Sequence, residues 1–248
     1  MTIATVITVT VAIMFWSLWI RRMTWKCSYE VAATFNITLQ CLAVILMSPW
    51  ASHTVGRWLY NITGDHNLED YLAHDLYIIA ASAIALNVVG KLGPEAQARF
   101  KRDVEMPATL AIPIMFLTFT AGAGVDEYRS DFFRVPTDAS LSVYWLVMTA
   151  VTTYLLLYSC QALIPLRRNP ETSGVATLYM LFAGFGVAAC TIRAVTVFLP
   201  GHLQDTATAS FPVWLTACAC GAGFALISGL RWKQMLRDWF TSRETVLS

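Results

Sequence analysis

Long apolar runs separated by short polar segments dominate the chain. A helix needs roughly 20 mostly apolar residues to cross the hydrocarbon core of a bilayer, and seven runs come close to that length or exceed it. Lipid cannot pair open backbone groups, so each run is expected to be helical. The runs are too long and too continuous for the alternating strands of a membrane barrel. The seven predicted spans are 3–20, 31–49, 71–90, 107–124, 140–164, 174–199 and 211–230.

Composition supports the same class. Hydrophobic residues make up 56% of the chain and charged residues only 13%, about half the ~25% typical of soluble domains. This excludes a soluble globular domain, and it excludes a disordered chain, which would be richer in charge. The net charge of +1 gives no basic field for nucleic acid. We therefore expect an all-α polytopic membrane protein, with a seven-transmembrane-helix bundle over residues 1–230. We expect it to be a multi-pass protein of the plasma (cytoplasmic) membrane, with the lipid bilayer around it.

The Lys and Arg residues predict the orientation of the bundle, because cytoplasmic loops are enriched in both. One side would carry only Arg57, Arg129 and Arg134. The other side would carry thirteen: Arg21, Arg22, Lys26, Lys91, Arg99, Lys101, Arg102, Arg167, Arg168, Arg231, Lys233, Arg237 and Arg243. This asymmetry predicts an outer N-terminus and a cytoplasmic C-terminus.

The tail over residues 231–248 has its own pattern. Trp232, Met235 and Trp239 fall on one helical face, with charged residues elsewhere. This favours a short cytoplasmic amphipathic helix lying at the membrane interface. The alternative is a simple extension of the seventh helix into water.

Polar residues gather at the predicted outer end of the third span. Asn67 is expected to cap the helix, and Asp70 and His74 are then i,i+4 neighbours on one face, with Asp75 beside them. The group fits an outward-facing ion or proton site, or equally a helix start that is wetted at the interface. The chain contains no HExxH motif and no paired-cysteine spacing, so we predict no metal site.

Arg193 is the most informative single residue. It lies about six residues inside the outer end of the sixth span, roughly 9 Å deep. Ionisable groups at such depth usually have a partner or face a cavity. Asp75 and Asp70 are the expected partners, in a pair that would bind an anion or act as a structural ion pair. The alternative is an Arg that snorkels to the headgroups or joins two helices.

Three amides lie deeper still. Asn36 and Gln40 share a face of the second span, and Asn87 lies in the third. They could line a substrate path or make ordinary interhelical hydrogen bonds. Trp145 and Trp214 are expected to mark the outer membrane boundary, as interfacial aromatic residues do.

One resemblance covers most of the membrane region. The segment Ile62-Thr63-Gly64-Asp65-His66-Asn67-Leu68 leads into Leu72-Ala73-His74, and the loop Arg167-Arg168 precedes a helix that ends near Arg193. These features resemble an uncharacterised family of actinobacterial seven-helix membrane proteins that also occurs in phages. Its members are often labelled transporters without a defined substrate. The resemblance implies that Asn67, His74 and Arg193 are family features, and it implies no mechanism.

Three functional classes remain open. The first is a non-enzymatic membrane protein that acts through a membrane-protein partner or as a homo-oligomer, for example a sensor, an assembly subunit or a phage exclusion or immunity factor. The second is a small transporter or channel with an outer-side anion or proton site. The third is an intramembrane enzyme, which would need a clustered nucleophile and base or a metal constellation. The sequence shows no such cluster, so we expect no enzyme, no catalytic residue and no cofactor, and we favour the first class.

Overall fold

The computed structural model describes residues 2–27 and 30–247, with side chains as far as Trp239. Helices account for 86% of the protein, and the described residues form no strands. The predicted all-α class is therefore confirmed.

The main helices of the described chain are numbered α1 to α8. They are Ile3–Ile20 (α1), Val31–Leu46 (α2), Pro49–Thr63 (α3), Leu68–Val89 (α4), Met106–Thr120 (α5), Ala139–Arg168 (α6), Pro170–Thr196 (α7) and Ala207–Leu247 (α8).

Five of these helices, α1, α4, α6, α7 and α8, are long and apolar enough to cross a membrane. A sixth span is formed if α2 and α3, which are bent by 60° at their junction, count as one. The predicted fourth span corresponds to α5, which has 15 residues, continues directly from the helical segments Pro94–Phe100 and Lys101–Glu105, and ends before Gly122, whose backbone is extended. The described chain thus has five or six helices of spanning length, and the count of seven stays a prediction.

The predicted loop after the second span is largely helical. Ser48 caps α3 by accepting a hydrogen bond from the backbone N–H of Ala51 at 3.2 Å, and Pro49 occupies the first turn, where its missing N–H costs little. Gly64 ends the helix in the left-handed conformation at φ +83°. Local capping chemistry therefore turns this polar segment into a short helix bent away from α2.

Asn67 does not cap α4 with its side chain, contrary to the prediction. Its backbone is left-handed at φ +56°. Its side-chain amide instead donates to the backbone carbonyls of Gly124 and Glu127, both at 2.8 Å. Asn67 thereby fastens the start of α4 to the loop that follows α5.

Six helices close a ring. Each helix contacts the next in the order α1, α2, α4, α6, α7, α8, and α8 contacts α1 again. Helix α5 packs outside the ring against α6. The ring buries one face of each helix and encloses the space in which the candidate site lies.

The predicted tail over residues 231–248 does not begin as a separate helix. α8 continues without a break through the predicted boundary at Leu230. The side chains beyond Trp239 lie outside the described part of the chain. Whether this segment lies at a membrane interface stays a prediction.

Arg21 joins three helices at one end of the ring. It was placed in a loop on sequence grounds, yet its side chain is only 2% exposed. It pairs with the Glu30 carboxylate at 2.8 Å, and it donates to the Thr34 hydroxyl and the Ser228 carbonyl, each at 3.1 Å. Each nitrogen of the buried Arg21 guanidinium thus has an acceptor. Such acceptors replace the hydration that a buried charge loses.

We expect Arg21→Ala to destabilise the fold by about 3–5 kcal/mol, because it leaves the Glu30 carboxylate without its partner. Unfolding in mixed micelles, followed by circular dichroism, measures this loss. Arg22→Ala is the matched control: Arg22 is exposed, stacks over Trp19, and should change stability by no more than about 0.5 kcal/mol. Equal effects of the two substitutions would contradict the structural role of Arg21.

Candidate functional site

Two cavities lie inside the helix ring. The Arg193 cavity has a volume of about 80 Å³, and it is lined from α2, α4, α6, α7, α8 and the loop before α6. The Arg21 cavity is larger, about 190 Å³, and it lies among the same ring helices toward the end that holds Arg21. Each is a concave space between helices, where ligand sites in bundles are commonly built.

The cavities are stacked end to end along the ring. On α6, α7 and α8, the residues that line one cavity all precede those that line the other, without interleaving. On α4 the order is the same, from His74 in the Arg193 cavity to Asn87 in the Arg21 cavity. Both linings include Ile84 and Phe224, and both of these side chains are buried. Ile84 and Phe224 therefore form the partition between the two cavities.

Arg193 is the most unusual group in the site. Its side chain is only 2% exposed. Its guanidinium stacks over the Trp145 ring at 4.1 Å, and Nη1 donates to the Thr196 hydroxyl at 3.1 Å. Nε and Nη2 are buried without any hydrogen-bond acceptor. Cation–π stacking stabilises the charge but leaves two strong donors unused.

Arg21 and Arg193 are equally buried, and their surroundings differ. Arg21 donates to two carbonyls, a hydroxyl and a carboxylate, whereas Arg193 has only the hydroxyl of Thr196. A buried donor without an acceptor costs about 1–3 kcal/mol, and more for charged groups. The unpaired edge of Arg193 is thus a feature of this bundle that stability alone does not explain.

The predicted ion pair of Arg193 with Asp75 or Asp70 is not formed. Among the described residues, no carboxylate oxygen lies within 4.0 Å of its guanidinium. Asp70 is buried with Oδ1 unpaired, and Asp75 also has an unpaired oxygen. Arg193 instead lies flat on the Trp145 ring, and neither carboxylate lines the Arg193 cavity. Their role as site residues stays a prediction.

His74 lies beside Arg193 in the same cavity lining. It is fully buried, and its Nδ1 shares a hydrogen bond of 2.6 Å with the Tyr144 hydroxyl. The Trp145 ring lies against it edge-on, with centroids 4.9 Å apart. Its Nε2 has no partner. Asp70, the expected i,i+4 neighbour of His74, makes no hydrogen bond to it. His74 therefore presents a second unused polar atom next to Arg193.

The amides connect the two cavities. Gln40 lines the Arg193 cavity and donates to the side-chain oxygen Oδ1 of Asn36 at 3.1 Å. Asn36 itself lines the Arg21 cavity. Asn36 in turn donates to the backbone carbonyl of Ala80 at 2.7 Å. Asn87 lines the Arg21 cavity with an unpaired Oδ1. The Asn36–Ala80 bond joins α2 to α4 and fits the alternative of interhelical hydrogen bonding, whereas the Gln40–Asn36 bond lies within α2. All three side chains also line one of the two cavities.

Trp145 and Trp214 were assigned to the membrane boundary, and this was wrong. Both are buried inside the ring, at 0% and 2% exposure, and both line the Arg193 cavity. Trp214 donates its indole N–H to Asp131 at 3.1 Å. Tyr144, which orients His74, was also missed. The sequence held no local signal for either role, because an aromatic residue near the end of an apolar run can face headgroups or the inside of the ring.

Comparison with protein-family models, with curated proteins and with solved structures finds no match. The resemblance to the actinobacterial seven-helix family is therefore neither supported nor opposed. Within the described residues, no group of three or more His, Cys, Asp or Glu side chains is placed to hold a metal ion. The site must be interpreted from its own geometry.

Asp131, in the loop before α6, gives a pH-dependent test of this geometry. Burial raises the pKa of the Asp131 carboxyl above its usual range. Hydrogen bonds from the Trp214 indole N–H and the Phe133 backbone N–H, together with the charge of Arg134, oppose this shift of the pKa without cancelling it. Arg193 also lies within the field of this carboxylate. The folded protein therefore holds this proton more tightly than the unfolded chain does.

We expect the wild type to lose thermal stability relative to Asp131→Asn as the pH rises from about 4 to 7, because ionisation of the buried acid is costlier in the folded state. The Asn side chain keeps an oxygen that can accept from Trp214. Melting temperatures of both proteins across this range measure the difference. Asp126→Asn, at an exposed position nearby, serves as the control. A difference between the wild type and Asp131→Asn that does not change with pH would contradict the buried titration.

Proposed function

We propose that this chain is a small membrane transport protein that carries an anion along the axis of its helix ring. The observation that supports this most is the end-to-end placement of the two cavities, which share Ile84 and Phe224 in their linings. The sequence favoured action through a partner, with transport as the alternative. The enclosed geometry shifts our preference to transport, and action through a partner stays a prediction.

The length of the pathway suits this role. Along α8 the two linings include Trp214 at one end and Trp232 near the other, a separation of about 27 Å at 1.5 Å per residue. This is close to the ~30 Å of a bilayer's hydrocarbon core. A ligand that passes between the cavities would cross most of that thickness inside protein.

The charges along the pathway favour an anion. Arg193 is the only formally charged side chain in the lining of its cavity. The Arg21 cavity is lined by three cations, Arg21, Lys91 and Arg231, against one carboxylate, Glu30. Lining charges of one sign concentrate ions of the opposite sign. A cation would meet no acidic side chain in the Arg193 cavity lining.

The partition supports gated passage rather than an open pore. Ile84 and Phe224 are apolar and buried, so a hydrated anion meets a barrier between the cavities. Small movements of packed helices are enough to open such a barrier in transporters. Transport would then depend on a second arrangement of α4 and α8.

We further propose the predicted orientation, with the Arg193 end of the ring outside and the Arg21 end cytoplasmic, in a multi-pass plasma-membrane protein with seven spans. The charge asymmetry of the loops supports this arrangement. The Arg193 cavity would then receive the ligand from outside.

Phe224→Ala should raise anion flux severalfold, because removing the ring from the partition connects the two cavities. Proteoliposome uptake of labelled chloride, phosphate and benzenesulfonate measures this, since all three stay ionised and cross bare lipid slowly. Wild type should take up at least one of them faster than protein-free liposomes.

Phe185→Ala is the matched control, because Phe185 lies on the exposed face of α7 and lines neither cavity. Its flux should equal that of wild type. If none of the three anions enters faster through wild type or Phe224→Ala than through bare lipid, the transport proposal is wrong.

Topology has its own test. A cysteine at exposed Asp126 should react with a membrane-impermeant maleimide on intact cells, and one at exposed Lys101 should react only after permeabilisation. The wild type, whose six cysteines all lie at buried or half-buried positions, controls for background labelling. The reverse pattern would overturn the orientation.

A further inference from the structure

We infer that the Arg193 cavity binds a compact monocarboxylate with an aromatic or branched apolar body. This deepens the proposed function, on which it rests, by naming the class of anion. It depends on which atoms of Arg193 are unpaired, on the walls of the cavity and on the charges around it.

The unpaired atoms of Arg193 form a carboxylate-binding edge. Nε and Nη2 lie on the same side of a guanidinium, where their N–H bonds run parallel and match the two oxygens of one carboxylate. In Arg193 these are the two nitrogens without acceptors, while Nη1 is occupied by Thr196. Stacking on Trp145 fixes the plane of the guanidinium. The protein thus leaves free the edge that bidentate recognition requires.

His74 and Trp145 add two more polar atoms. His74 Nε2 and the Trp145 indole N–H are both buried without partners, and both residues line the cavity with Arg193. Buried polar atoms normally have a partner, whether protein, water or ligand. Because all three residues line a single cavity, a polar headgroup bound there could supply these missing partners.

The rest of the cavity lining is mostly apolar. Phe133 packs against Trp145 and Trp214, with ring centroids 5.4 and 5.5 Å apart. Met148 and Leu156 continue the wall toward the partition. A flat or branched hydrocarbon body would be buried against these side chains, and a fully hydrated anion would not. Apolar walls with a few polar groups are typical of sites for small organic ligands.

The volume sets the size of the ligand. A cavity of about 80 Å³ for water centres holds roughly five to eight water molecules, about the space of 8 to 12 non-hydrogen atoms. Benzoate falls within this range. Long-chain fatty acids and nucleotides are too large for it.

The surrounding charge argues against a dianion. Arg193 supplies the one formal positive charge in the lining of this cavity, while the buried Asp131 carboxyl lies within its electrostatic range without forming an ion pair with it. A phosphate or sulfate would bring two negative charges to one cation in a medium of low dielectric constant. A monocarboxylate neutralises Arg193 and adds no excess charge.

The test uses the purified full chain in detergent at a pH where benzoate is ionised. Saturation-transfer NMR titration with benzoate should give a saturable signal, and benzyl alcohol, which has the ring without the charge, should bind far more weakly. Excess chloride should not displace benzoate. In Arg193→Lys, which keeps the charge and loses the paired edge, benzoate should bind roughly tenfold more weakly or worse. Arg57→Lys, at an exposed position, should leave binding unchanged.

A second variant keeps the proposal testable if Arg193→Lys is unstable. Ala189 is buried in the cavity wall, while its neighbour Ala188 does not line the cavity. Ala189→Leu fills the space for the ligand body and should abolish benzoate binding, whereas Ala188→Leu should not. Equal binding by all four variants and wild type, equal binding of benzyl alcohol, or no saturable binding of benzoate would each overturn the carboxylate site.

This result is separate from that of the flux experiment. Benzoate binding without any anion flux would keep the site and remove the transport function. Flux of chloride or phosphate without benzoate binding would keep the transport function and remove the carboxylate class.

Discussion

A guanidinium held away from water is the constraint around which this bundle is organised. Such a charge costs several kcal/mol unless acceptors replace its hydration. The chain meets this cost twice, at opposite ends of one helix ring. Arg21 is surrounded by carbonyl, hydroxyl and carboxylate oxygens from α2, α8 and the segment between α1 and α2, so it fastens the ring. Arg193 has an aromatic face and one hydroxyl, so its remaining donors are available to a ligand.

The space between the two arginines exists because the ring is closed by close helix contacts at small residues. A side chain at Gly186 would meet Leu156 and Cys220, and one at Gly221 would meet Gln40. Side chains that pack directly onto these glycine backbones bring α7 and α8 close to their neighbours. The larger side chains above and below them then leave two spaces rather than one filled core. The helix packing, the partition between the cavities and the proposed pathway all follow from the same spacing of the helices.

The loops at the Arg193 end are part of the site rather than mere connections. Asn67 fastens the loop after α5 to the start of α4, and this loop carries Phe133 and Asp131 inward to Trp145 and Trp214. An aromatic wall is thereby assembled from chain segments far apart in sequence. Because the wall holds Trp145, it also holds the guanidinium of Arg193 in a fixed plane, and so links the conformation of the loop to the binding edge.

Sequence alone determined the helical class, the membrane character and the existence of Arg193 as a costly interior charge, because these follow from the length and hydropathy of local runs and from the cost of burying a single ion. Tertiary structure decided what Arg193 contacts. Its neighbours, Trp145 and Thr196, are chosen by helix rotation and ring closure, which no local pattern specifies. For the same reason Trp145 and Trp214, read as boundary markers, turned out to line a cavity, and Arg21, read as a loop cation, turned out to be buried. An aromatic or basic residue near the end of an apolar run has the same local signature whether it faces headgroups or the inside of a ring; only the packing of the other helices distinguishes the two.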